Sequence, residues 1–168
     1  MVLGVVVLLG ALITISADTW AAQLSSNKLD VVRLNCVQSQ VLIQQIQYND
    51  AATRVNRGQA YEALLSDLIN PLNSRLAAAG YNSEAADLTT VATNYQKNLT
   101  KFKSDYETYD DSLSAVLRTK CRDKPQVFYD NLQEARLQRQ TVSEDIKLIA
   151  QIIDQYQSSA AKLKETVR

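Results

Sequence analysis

Residues 88–116 read LTTVATNYQKNLTKFKSDYETYDDSLSAV, and in them Leu88, Ala92, Tyr95, Leu99, Phe102, Tyr106, Tyr109, Leu113 and Val116 recur at alternating spacings of four and three without a miss. A 3.5-residue apolar repeat lays one seam along an α-helix, and that seam must be covered by partner helices. The repeat returns further along the chain at Phe128, Leu132, Ala135, Arg139, Val142, Ile146, Ile149, Ile153, Tyr156, Ala160, Leu163 and Val167, with Arg139 alone breaking it. Cys121-Arg-Asp-Lys-Pro125 separates the two seams as a tight reversal. Asp123 and Gln126 are spaced there as a capping box, and Pro125 suits a first helical turn. The spacing therefore predicts helices over about 84–120 and from about 124 to the end.

Upstream, a first long helix is expected from about Leu24 to Ala79. Tyr61, Leu65, Leu68, Leu72 and Leu76 give it a clean seam near its end, whereas Val41, Tyr48 and Val55 keep a seven-residue step with Gln44, Ala51 and Gly58 between them. Gly58 and Pro71 are the places where it can bend. Gly80 after an alanine run reads as a C-cap, with Asn82 or Ser83 capping the next helix. Three long helices on two short connections predict an all-α fold: an antiparallel up-down-up three-helix bundle over 23–168.

Val2 to Ala17 is almost continuously apolar, and the first charge is Asp18. At the helical rise it covers roughly 25 Å, which spans a bilayer core once the following residues and the interfacial ring of Trp20 are included. Residues 1–22 are read as a retained membrane anchor, since the basic segment that opens a secretory signal is missing. A type IV pilin-like first helix is the alternative, although such pilins usually carry a glutamate where this chain has Val5. Lys28 and Arg33 just after the apolar stretch argue for a cytoplasm-facing bundle.

The cysteines argue the other way. With the first reversal near Tyr81, antiparallel register brings Cys36 to the neighbourhood of residue 126, a few residues from Cys121. A Cys36–Cys121 disulfide is therefore expected, clamping the membrane-proximal base in an oxidising compartment. The outward-facing reading is adopted on that ground.

Composition narrows the chemistry. Eighteen basic residues balance eighteen acidic ones, so no field steers nucleic acid to the chain. There is no histidine, the commonest general base and metal ligand, and two distant cysteines build no zinc site. No catalytic residues, metal or cofactor are expected. The expected partners are membrane lipid and other envelope proteins or further copies of the chain.

One polar layer stands out at mid-bundle. Antiparallel register gathers Arg54, Arg57 and Gly58, then Asp105, Tyr106 and Tyr109, then Arg136 and Arg139. An arginine at a seam position needs a carboxylate, for which Asp105, Glu107 and Asp110 are the candidates, and its stem can pack on tyrosine rings. Such a layer either fixes helix register or forms an anion or peptide-carboxylate site beside the small Gly58.

Arg54-Val-Asn-Arg-Gly-Gln-Ala-Tyr61, Pro71-Leu-Asn-Ser-Arg75 and Cys121 followed by Phe128-Tyr129 resemble signal-anchored helical proteins of candidate-phylum bacteria of the Saccharibacteria type. The resemblance implies a bacterial cell-envelope setting and no activity. The expectation is a non-enzymatic, membrane-anchored extracytoplasmic bundle serving as a structural or adaptor part of an envelope assembly, with a pilin-like subunit or a ligand-binding sensor as alternatives.

Overall fold

The computed structural model describes residues 24–166, and helices are the only regular secondary structure among them, with no strand. No helix among the described residues is long and apolar enough to cross a membrane; the expected anchor 1–22, with Trp20, lies outside them.

Helix α4 (Asn82–Arg118) and helix α5 (Pro125–Thr166) form the backbone of the fold. They run antiparallel, as Lys101 Nζ on Asp145 Oδ1 at 2.7 Å and Asn131 Nδ2 on Thr119 Oγ1 at 3.0 Å require. Every expected seam residue of α4 is buried, from Leu88 to Val116. On α5 each seventh residue, Phe128, Ala135, Val142, Ile149, Tyr156 and Leu163, is buried, and Leu132, Ile146, Ile153 and Ala160 pack beside them. Each large apolar side chain so buried stabilises the fold by about 1.5–3 kcal/mol. Val167 lies outside the described residues.

The first arm comprises α1 (Ser26–Leu34), α2 (Cys36–Ala63), a π-helical segment Leu64–Ile69, and α3 (Asn70–Ala78). It lies antiparallel to α4, with Gln47 on Asp110 and Ser114 and the Tyr95 hydroxyl on the Tyr61 carbonyl. It runs parallel to α5, with the Tyr156 hydroxyl on Asn73 Oδ1 at 2.8 Å and on the Ile69 carbonyl.

The expected single helix 24–79 is thus interrupted twice. One break is at Asn35, whose side chain donates to the Val31 carbonyl. The other follows from Pro71, which has no N–H to give and crowds the carbonyl four residues back, so the preceding turn widens. That wide turn advances the helix phase by one residue. It corrects the expected seam: Leu68 is exposed and Ile69 is buried in its place. Gly58, the other expected bend, lies within continuous α2.

The reversal at Gly80 forms as expected. Gly80 N–H donates to the Ala77 carbonyl and Tyr81 N–H to that of Leu76, a Schellman pair, with Gly80 at φ +86°. Gly80→Ala is expected to cost about 1–2 kcal/mol because a Cβ disfavours that left-handed conformation, measured as a lower urea midpoint at unchanged m. The expected caps do not form. Tyr81 occupies the N-cap of α4 without a side-chain cap bond, and Ser83 Oγ donates instead to the Glu84 carboxylate. Gln126, expected in a capping box with Asp123, accepts from Leu24 N–H and donates to Asp130.

Helix α2 is built inside out. Its inward face carries Cys36, Ile43 and Tyr61 but also Gln40, Gln47, Asp50 and Arg54, each satisfied by a polar or aromatic partner on α4 or α5. Val37, Val41, Tyr48 and Val55 lie exposed on the opposite side. The seven-residue step of Val41, Tyr48 and Val55 is therefore no part of the intramolecular core, a correction to its reading as a weak bundle seam. The polar inner face explains the rotation. Turning α2 by half a turn would bury the valines but set them against Asp110, Ser114 and the Tyr109 hydroxyl, which would lose their partners Gln47 and Asp50, and the Cys36–Cys121 bond, with Cα atoms 5.6 Å apart, forbids it.

Candidate functional site

Midway along the bundle α2, α4 and α5 part to leave a groove of about 530 Å³, within the range of small-ligand sites. Its floor is apolar: Phe102 and Val142 are buried, and Ile146 packs beside them. Its rim is cationic, with Arg54 and Arg57 from α2 and Arg136 and Arg139 from α5. The helical repeat explains the grouping. Arg54 and Arg57, like Arg136 and Arg139, are three apart and share a face.

One carboxylate sits among them. Asp50 Oδ2 accepts from the Tyr109 hydroxyl at 2.7 Å and from Arg139 Nε at 3.0 Å, and Asp50 Oδ1 accepts from an Arg139 terminal nitrogen at 3.3 Å. The side chain of Arg139 is 59% exposed and that of Asp50 22%, so the pair stands on the solvent side of the groove lining. Bonding to Asp50 raises the Arg139 pKa. Burial, reinforced by the same carboxylate, pushes Tyr109 well above the ordinary phenol value.

Tyr106 is the odd member. The Arg54 guanidinium lies 4.8 Å from its ring centroid, and its edge meets the Tyr109 ring at 83°. Its hydroxyl is buried and has no hydrogen-bond partner among the described residues. Burial, with Asp110 and Asp50 nearby, pushes its pKa up to about 12. A buried hydroxyl left unsatisfied costs about 1–3 kcal/mol.

Of the layer expected from register, Arg54, Arg57, Tyr106, Tyr109, Arg136 and Arg139 therefore meet at one groove. Three points are corrected. Arg139 is not in the core; its guanidinium reaches outward because Asp50 lies at the rim. Its partner is that Asp50 rather than Asp105, Glu107 or Asp110, and the signal was available in the seven-residue step Cys36, Ile43, Asp50 on the inward face of α2. Asp105 and Gly58 do not line the groove: Asp105 is held by Lys101, and a Cβ on Gly58 would meet nothing within 4 Å.

Lys101 bridges Asp105 and Asp145, which is buried on α5. The lysine lowers the Asp105 pKa, whereas burial raises that of Asp145. This cluster ties α4 to α5. Among the described residues no three carboxylate or thiol groups converge as a metal would need. The groove, with four guanidiniums against one carboxylate, can hold and orient an anion. No protein-family model, curated protein or solved structure matches the chain.

Proposed function

We propose that this chain is a non-enzymatic, membrane-anchored extracytoplasmic bundle that serves as a structural or adaptor component of a cell-envelope assembly, and that two copies pair along α2. The observation that carries the reading is the outward apolar face of α2. Val41, Tyr48 and Val55 stand there at 50%, 77% and 48% exposure, with Val37 at 56% beside them. Water-exposed apolar residues in heptad steps are the pattern of a helix–helix seam still lacking its partner.

A second copy fits that seam. Anchors at residues 1–22 keep two copies parallel, so identical residues face each other across a two-fold axis. β-branched residues at the Val41 and Val55 steps favour a two-stranded parallel seam, and Ala51 and Gly58, three residues on from Tyr48 and Val55, let the helices approach. The Cys36–Cys121 bond supports an oxidising, extracytoplasmic setting. Paired stems would leave the distal tip around Tyr81 and the groove face for other envelope proteins.

Sedimentation equilibrium of the full chain in detergent tests the pairing. A dimer is expected, and the double substitution Val41→Glu and Tyr48→Glu should raise its dissociation constant on the order of 100-fold, since two charges would be buried in an apolar seam. The melting temperature of the monomer should not move. A wild-type monomer at micromolar concentration, or a dimer indifferent to both glutamates, overturns the reading. A larger assembly that survives the glutamates but not removal of residues 1–22 would support the pilin-like alternative.

A further inference from the structure

The groove between α2, α4 and α5 faces away from the exposed stripe of α2, so it is separate from the pairing surface. We propose that it is a binding site for a small soluble phosphate monoester with a flat apolar body. Charge is the first ground. Arg139 is neutralised by Asp50, whereas Arg54, Arg57 and Arg136 make no ion pair among the described residues. Three unneutralised guanidiniums around one cavity repel each other, and a monocarboxylate offsets only one of them. A phosphate monoester brings close to two charges and three acceptor oxygens, and the planar guanidinium fork matches that geometry.

The second ground is the floor. Phe102, Val142 and Ile146 offer no hydrogen bond, so a bare inorganic anion would leave that surface wet. An aromatic or similarly flat body fills it while its phosphate stays at the rim.

The third is Tyr106. Its hydroxyl is a buried donor with no hydrogen-bond partner among the described residues, and the Arg54 guanidinium lies over the face of its ring. When Arg54 turns toward an arriving phosphate it leaves the ring face, and an acceptor oxygen of the ligand can then satisfy the hydroxyl. The free protein holds this group in a costly state that a ligand relieves, as expected of a binding site rather than a packing layer.

The position argues for a soluble ligand rather than a lipid headgroup. From residue 24 to Arg54 the first arm climbs about 45 Å along its helices, beyond the headgroups of the membrane that holds the anchor.

Phenyl phosphate is the probe, titrated calorimetrically into the full, disulfide-bonded chain in detergent at low and at physiological salt. Binding is expected, weakening with salt, and at least tenfold tighter than that of inorganic phosphate, phenol or benzoate. Arg57→Gln with Arg136→Gln should weaken it tenfold or more. Both side chains are exposed and without ion pairs, so the variant should fold with its dimer intact. Tyr106→Phe should weaken binding severalfold while the free protein becomes no less stable. Absence of phenyl phosphate binding, equal affinity for benzoate or inorganic phosphate, or indifference to the double arginine variant overturns the site. Binding of short-chain phosphatidic acid in preference to phenyl phosphate overturns its assignment to a soluble ligand. None of these outcomes bears on pairing through α2.

Discussion

Removing the Cys36–Cys121 bond, by Cys36→Ser with Cys121→Ser or by reductant, is expected to lower the melting temperature by about 10 °C. The bond joins residues 85 apart, and the chain-entropy model assigns a closed loop of that length about 4.5 kcal/mol; in a domain of this size each kcal/mol moves the midpoint by about 2–4 °C. The loss should also be uneven along the chain. Helix α2 is held to α4 and α5 mainly by Gln40, Gln47, Asp50 and Arg54, with few buried apolar side chains before Tyr61. Polar links near solvent contribute less per contact than the α4–α5 seam, so without the bond the segment from 36 to 56 should open first. Hydrogen exchange checks this: amides of α2 should lose protection while those of 88–116 keep theirs. Because the bond also fixes the rotation of α2, the reduced chain should lose the arginine groove before it loses helicity. An unchanged melting temperature on reduction would show that the clamp contributes nothing.

The two halves of the fold differ in how well the sequence announced them, and the reason is physical. In α4 and α5 the seam is apolar at nearly every step, so periodicity and burial agree. In α2 two faces compete: Val41, Tyr48 and Val55 on one, and Cys36, Ile43, Asp50, Arg54 and Tyr61 on the other. A reading that follows hydrophobicity chooses the first. The structure chooses the second because α4 and α5 present Asp110, Ser114, Tyr109 and Arg139 to it, and these need polar partners more than the valines need cover. No pattern within α2 alone reveals that; it depends on what two other helices display.

The groove was legible to the extent that register alone decides it. Antiparallel pairing brought six of its residues to one height, and that holds whatever the rotamers do. What register cannot give is direction around each helix. Asp105 shares the height of Tyr106 but sits on the flank that meets Lys101 and Asp145, and Gly58 faces open space. The one-residue shift from Leu68 to Ile69 has the same character: Pro71 announces a disturbance, but whether it becomes a kink or a wide turn depends on what the displaced carbonyls find. Here the Tyr156 hydroxyl takes that of Ile69.

The tyrosines that fill the mid-bundle also set its alkaline limit. Burial pushes the pKa of Tyr95 up to about 12, with Tyr61 adding to it, and that of Tyr106 up to about 12, with Asp110 and Asp50 adding. Tyr109 is raised further, by burial and its bond to Asp50. In the unfolded chain a phenol ionises near pH 10. Below that both states are neutral and the stabilisation is complete. Between pH 10 and 12 the unfolded chain releases protons that the folded one keeps, so stability falls as pH rises. Each tyrosine contributes a slope of about 1.4 kcal/mol per pH unit in that window, so the three together should cost about 4 kcal/mol by pH 11. Lys101, whose pKa is raised by its bonds to Asp105 and Asp145, acts in the same direction. The phenolate absorbance of the buried tyrosines should therefore change together with helicity, in one steep transition above pH 10. Tyr106→Phe should move that transition upward, since it removes a buried ionisable group that makes no hydrogen bond among the described residues. Phenolate absorbance that appears in full while the helices stay intact would mean that the seam admits water, and the packing described for α4 would be wrong.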